Sequence, residues 1–82
     1  MYQTIGEAIQ VLGIFKQASF IPKKFHWHHR IYPIEKVTST HEVLNGGVKK
    51  RQYAILSEGN LYLLEYNRQE ETWTLEQVWY EG

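Results

Sequence analysis

Three of the four histidines are packed into the string His26-Trp27-His28-His29. On a strand, His26 and His28 would project from one face two residues apart, a workable spacing for two imidazoles on one metal ion. His41, Glu35 or Glu42 could supply a third ligand, leaving the open position that a catalytic zinc needs. The surrounding chemistry argues against such a centre. The chain has no Cys, no Asp and no H-E-x-x-H, and His29 falls at a turn. The plainer reading places His26 and His28 on a solvated face beside Lys24. No cofactor is implied.

Other catalytic arrangements have less support. Without Cys or Asp there is neither a thiolate nucleophile nor an aspartate to orient a histidine, and Ser19, Ser39 and Ser57 lie in no nucleophile motif. Asn45-Gly46-Gly47 precedes Val48 rather than the Gly-Lys-Ser/Thr ending of a phosphate loop, so it reads as a turn. Glu70-Glu71 lies in a polar loop where both carboxylates should be solvated. The expectation is that the chain is not an enzyme.

Binding is the better-supported chemistry. Lys23, Lys24, His26, His28 and Arg30 form a candidate nucleic-acid-binding stripe, and Lys49, Lys50 and Arg51 extend it if their strands are neighbours. Trp79, Tyr80 or Tyr62 could supply the exposed rings on which bases stack. Formal charge is zero overall but unevenly placed. Up to Arg51 eight Lys/Arg oppose three Glu, a net +5; thereafter Arg68 opposes six Glu, a net −5. Such asymmetry marks either a polyanion-facing side or strands that pair basic rows against acidic ones. The competing class is a protein-interaction module, with homodimerisation through a free edge strand as its simplest form.

These residues must be positioned by strands. Phe25 and Trp27 alternate with Lys24, His26 and His28, and Tyr32 and Ile34 follow with the same period of two. A turn at His29-Arg30 would set Trp27 opposite Tyr32, Phe25 opposite Ile34 and Lys24 across from Glu35. A turn at Gly59-Asn60 would set Ile55 against Leu64 and Tyr53 against Tyr66. Asn45-Gly46-Gly47 separates the long Tyr32–Leu44 segment from a strand beginning near Val48. After the polar loop Asn67–Glu71, Trp73 and Leu75 continue the face of Tyr66 and Leu64. Beyond Glu76 the pattern shifts to Val78 and Tyr80, which indicates a bulge or a one-sided terminal strand.

Residues 4–16 read two ways. Thr4 and Glu7 fit a capping box, and Ile5, Ala8, Ile9, Leu12 and Phe15 have helical spacing. The β-prone Ile9, Val11, Ile14 and Phe15, with Gly6 and Gly13, favour a strand instead. The expected fold is all-β: one domain over 1–82, an antiparallel meander of five or six strands curled toward a small barrel, its N-terminal segment a strand or a short helix. The expected core holds Phe25, Trp27, Tyr32, Ile34, Tyr53, Ile55, Leu64, Tyr66, Trp73 and Leu75. Aromatic residues make up 15% of the chain, and their large buried areas let so short a sequence build a core. Cysteine-free composition and the lack of a visible secretory signal point to the cytoplasm. The apolar run Ala8–Phe15 is too short to span a bilayer.

Phe25-x-Trp27, Arg30, Tyr32 and Ile34 resemble the F-x-W-x-G-R-x-Y-x-V core of a small bacterial family of unknown function. Members of that family are free-standing, and similar domains end some Y-family DNA polymerase-like proteins. Tyr53, Gly59, Tyr62-x-Leu64 and Trp73-x-Leu75 extend the resemblance over roughly residues 8 to 80. His29 stands where the family tends to have its turn glycine. The resemblance implies a strand over Ile9–Phe15 and a six-stranded all-β unit, and no activity. Function is thus expected to be non-catalytic binding, with nucleic acid or a protein as the partner.

Overall fold

The computed structural model describes residues 1–80. Seven antiparallel strands form one sheet: β1 (Tyr2–Lys16), β2 (Ser19–Trp27), β3 (Arg30–Pro33), β4 (Lys36–Asn45), β5 (Val48–Ser57), β6 (Asn60–Asn67) and β7 (Thr72–Trp79). Their order is β3-β2-β1-β7-β6-β5-β4. Every strand therefore pairs with its neighbour in sequence except β3 with β4, and β7 returns to β1. The fold is a meander barrel with one seam left open. The radius of gyration, 12.3 Å, matches the value of about 12 Å for one compact domain of this length. No helix among the described residues is long and apolar enough to cross a membrane.

One more strand is present than the sequence pattern suggested. Pro33 ends β3, because it has no N–H to continue a ladder, and the chain crosses at once to the opposite edge. Ile34 N–H donates to the Lys23 carbonyl and Glu35 N–H to the Leu56 carbonyl, both at 2.9 Å. This crossing staples the seam at its middle. β3 pairs only with Lys24–Trp27 and Ile34 reaches the Lys23 carbonyl, so residues 19–22 of β2 have no strand partner on the open side.

The N-terminal segment is a strand, and its two glycines explain why. β1 pairs with β7 through Tyr2–Ile9 and with β2 through Gln10–Lys16, with a register shift in each ladder. Gly6 sits in the first bulge at φ +69°, a left-handed conformation that disfavours a side chain. At the second, a Cβ on Gly13 would lie 2.2 Å from the Ile21 carbonyl oxygen and 2.9 Å from the Pro22 Cα. The helical spacing of Ile5, Ala8, Ile9, Leu12 and Phe15 is not used. Ile9 and Val11 pack against the core while Leu12 and Ile14 are exposed.

The concave face carries the core: Phe25, Tyr32, Tyr53, Ile55, Tyr62, Leu64, Leu75 and Val78 are buried. Trp27, Ile34, Tyr66 and Trp73, also expected there, are partly buried and pack around it. Phe25 stacks on Tyr32 at 4.9 Å, and both rings meet Tyr62 of β6, at 5.2 and 5.7 Å. The curl thus brings β2 and β3 over β6. A bulge at Glu76 shifts the β6–β7 register and turns Val78 inward, as the change of pattern there suggested.

Both hairpin turns lie one residue earlier than expected. His28-His29 and Glu58-Gly59 take up the positive φ values of their turns. Phe25 therefore faces Tyr32 rather than Ile34, Trp27 faces Arg30 rather than Tyr32, and Lys24 faces Pro33 rather than Glu35. In the second hairpin Tyr53 faces Leu64 and Ile55 faces Tyr62. The shift is two residues, so every side chain keeps its face.

Candidate functional site

The basic side chains named from sequence do not form one surface. Lys23, Lys24, His26, His28 and Arg30 lie on β2, β3 and their turn, whereas Lys49, Lys50 and Arg51 lie on β5. Three strands separate β2 from β5 in the sheet. Several of the charges are also matched locally. Arg30 pairs with Glu58 and covers the Tyr32 ring at 4.7 Å. Lys50 reaches Glu65 at 3.3 Å, and Arg51 Nε donates to Glu42 at 2.8 Å across the β4–β5 ladder. Opposite rows of charge thus face one another on adjacent strands. Lys23, Lys24 and Lys49 are exposed.

His26 and His28 do not share a face. β2 ends at Trp27, and His28 begins the turn at φ 51°, which breaks the alternation. Its ring stacks on Trp27 at 4.3 Å. His28 Nε2 lies 2.9 Å from Glu7 Oε1, and Trp27 Nε1 donates to the same oxygen at 3.1 Å. These two hydrogen bonds, Trp27's first, hold the Glu7 carboxyl below its usual range. No group of three His, Cys, Asp or Glu side chains among the described residues is arranged to hold a metal ion.

Of the three rings named as stacking surfaces, Tyr62 is buried in the core and Tyr80 packs against it. Only Trp79 is exposed, beside Tyr2 at 6.4 Å. The rings available to a ligand lie elsewhere. Where the seam is widest, the concave face opens into a cleft of about 520 Å³, walled by Phe15, Phe20, Tyr53, Tyr66 and Trp73. The rings form a continuous chain. Phe15 meets Phe20 at 5.3 Å, Phe20 meets Trp73 at 5.8 Å, and Trp73 meets Tyr66 and Tyr53 at 4.9 and 5.3 Å. Phe15, at the rim, is 79% exposed.

Two guanidinium groups, Arg51 and Arg68, complete the wall together with Ala18 and Ser19 of the β1–β2 turn. The Glu42 carboxylate holds the Arg51 guanidinium up and is itself held below its usual range, by the Arg51 hydrogen bond first. Arg68 also acts on Glu42, but only through its field. Its guanidinium makes no ion pair or side-chain hydrogen bond among the described residues. Arg68 N–H donates to the Lys49 carbonyl at 3.3 Å, and alternation along β5 puts Lys49 on the face of Arg51 and Tyr53. Large apolar rings with one guanidinium that makes no ion pair among the described residues suit a ligand that is flat and aromatic at one end and anionic at the other.

Period two carried a partial signal for this cleft. Arg51 and Tyr53 share a face of β5, Tyr66 lies on the inner face of β6 with Arg68 in the turn just beyond that strand, and Phe15 pairs with Phe20 across the Gln17-Ala18 turn. What the sequence did not show is that the β7–β1 pairing brings these hairpins around one opening. No protein-family profile, curated protein or solved structure matches this chain.

Proposed function

We propose that this protein is a non-catalytic binding module for single-stranded nucleic acid, with its ligand seated in the aromatic–arginine cleft rather than on the basic hairpin face. The observation that carries this reading is the five-ring chain running from exposed Phe15 to Tyr53, with Arg68 beside it and in no ion pair among the described residues. Base–aromatic stacking contributes about 1–3 kcal/mol per base and tolerates any sequence. The guanidinium supplies the phosphate contact. On the hairpin face, by contrast, Arg30 and His28 already engage carboxylates, and Lys24 and His26 stand beside exposed Ile31 and Leu12 rather than beside accessible rings.

The test is an amide and indole NMR titration with a short single-stranded oligonucleotide at two salt concentrations. Shifts should concentrate on Phe15, Phe20, Tyr66, Arg68 and the Trp73 indole, and should shrink at the higher salt as released counterions oppose binding. Shifts confined to β2 and β3 would return the site to the hairpin. A concentration-dependent increase in size that maps to β4, without any oligonucleotide effect, would replace this reading with an edge-strand homodimer.

A further inference from the structure

We infer that the cleft is a single-nucleotide site: it takes one base with its own phosphate, and a longer strand gains nothing beyond the number of such units it offers. The inference rests on the nucleic-acid reading above and concerns how much of a strand the site holds. Three observations bear on it.

The first is size. A volume of about 520 Å³ lies in the range of roughly 300–1,000 Å³ that encloses one small molecule, not a tract of bases. The second is the placement of the rings. Phe20, Tyr66 and Tyr53 all meet Trp73, and Phe15 extends from Phe20 at the rim, so the rings gather about one centre instead of following a groove. A tract binder spaces its rings along a path so that successive bases each find one.

The third is charge. Arg51 is held by Glu42, which leaves Arg68 with neighbouring Lys49 as the cations available at this wall. Lys16 adjoins Phe15 at the rim, but alternation sends it to the opposite face of β1. Lys24 and His26 lie along the β2–β3 ladder and Arg30 at its tip, where the Arg30–Glu58 pair binds it to the β5–β6 turn. A backbone leaving the cleft therefore meets no continuing row of free cations. With one or two phosphate contacts, the logarithm of affinity should fall with the logarithm of salt at a slope between about −0.7 and −1.4.

The experiment titrates the protein with thymidine, thymidine monophosphate, inorganic phosphate, and thymidine tetramers and dodecamers. Shifts of the Phe15, Phe20 and Trp73 signals provide the readout, at two salt concentrations. The monophosphate and both oligomers should shift the same signals and give one association constant per residue, within about threefold, at the shallow slope above. Thymidine should bind about tenfold more weakly than its monophosphate, since it lacks a charge-assisted partner for Arg68, and inorganic phosphate should leave the rings unmoved.

Suppose the dodecamer shifts the cleft signals with a per-residue constant far above the monophosphate's and a slope steeper than about −2. The single-nucleotide site would then be wrong, while the nucleic-acid reading would stand. Ring shifts caused equally by inorganic phosphate would remove the base from the site and overturn the inference as well. If neither nucleotide nor oligomer moves any cleft signal, both readings fall together.

Discussion

Replacing Gly13 by Ala should unfold much of the β1–β2 half of this protein, although a strand glycine exchanged for alanine ordinarily gains about 0.5–1 kcal/mol. The reason is space, not dihedral angle. The added methyl would sit 2.2 Å from the Ile21 carbonyl oxygen, 2.7 Å from Phe20 Cζ and 2.9 Å from Pro22 Cα. Ordinary carbon contacts lie at about 3.5 Å, so the β2 backbone must retreat by more than about 1 Å. Phe20 can rotate away, but Ile21 and Pro22 are main chain in the paired strand and cannot. Overpacking of this kind costs about 3 kcal/mol when backbone must move. The whole domain has a stability of about 4–12 kcal/mol at its length, and each kcal/mol shifts its midpoint by roughly 4–8 °C.

The midpoint in a circular-dichroism melt should therefore fall by roughly 12–24 °C. Gly6→Ala is the internal control. Gly6 has φ +69° and nothing within 4 Å of its would-be Cβ, so that change should cost only the strain of one left-handed residue, about 1 kcal/mol. A Gly13→Ala protein that melts at or above the wild type would refute the close approach at this bulge, and with it the path of β2 past the cleft.

Further expectations follow from individual groups. Burial first and Glu65 second raise the Glu76 carboxyl above its ordinary 4.5; the folded state then holds that proton more tightly, so this group's contribution falls as pH rises through the raised value. Glu76→Gln should raise the melting point at neutral pH, and the gain should vanish below pH 4.5; a gain that persists in acid would contradict the origin of the shift. Glu7 and Glu42 are held low and act in the opposite sense, so their stabilisation should be lost as acid protonates them. The Ser57 hydroxyl is buried without a hydrogen-bond partner among the described residues, so Ser57→Ala should be neutral or stabilising by up to about 1 kcal/mol in urea unfolding, whereas a loss of 2 kcal/mol or more would reveal a bond to it. His29 lies at φ 61°, and His29→Gly should raise the midpoint by several degrees by removing about 1 kcal/mol of left-handed strain; an unchanged or lower midpoint would show that the ring is needed at the turn.

The sequence was most legible where the hydrophobic period alone decides the outcome. Phe25, Tyr32, Tyr53, Ile55, Leu64 and Leu75 were assigned to the inner face and are buried there, because alternation fixes the face whatever the register. It does not fix the register itself. A slip of two residues preserves every face, so only the turns could discriminate, and His28-His29 and Glu58-Gly59 accept positive φ where other pairs had seemed as suitable. Tyr62 shares the face of Leu64 and Tyr66 in either register, so alternation alone places it in the core, opposite Ile55, and not among the exposed rings.

The cleft was harder to read for a different reason. Phe15 belongs to the segment 4–16, which reads as helix or strand, and its meeting with Phe20 depends on Gly6 and Gly13 allowing β1 to bend from one partner strand to the other. Arg68 was counted only as a charge, in a half of the chain dominated by glutamates. Its position near Trp73 follows from the local β6–β7 hairpin, which pairs Tyr66 with Trp73; the β7–β1 closure that brings Phe15 and Phe20 to the same opening is what no local pattern encodes.

The central claim is that the ligand enters the aromatic–arginine cleft and not the basic hairpin, and the two sites can be compared directly. The measurement is the ratio of single-stranded oligonucleotide affinities of Arg68→Gln and Lys24→Gln at one low salt concentration. Both residues are exposed, so neither change should alter folding appreciably. Removing a charge-assisted phosphate contact costs at least about 1.5 kcal/mol, so Arg68→Gln should bind about tenfold more weakly than wild type while Lys24→Gln stays within about twofold of it. The opposite ranking, with Lys24→Gln impaired and Arg68→Gln unchanged, would contradict the account and place the site on the hairpin.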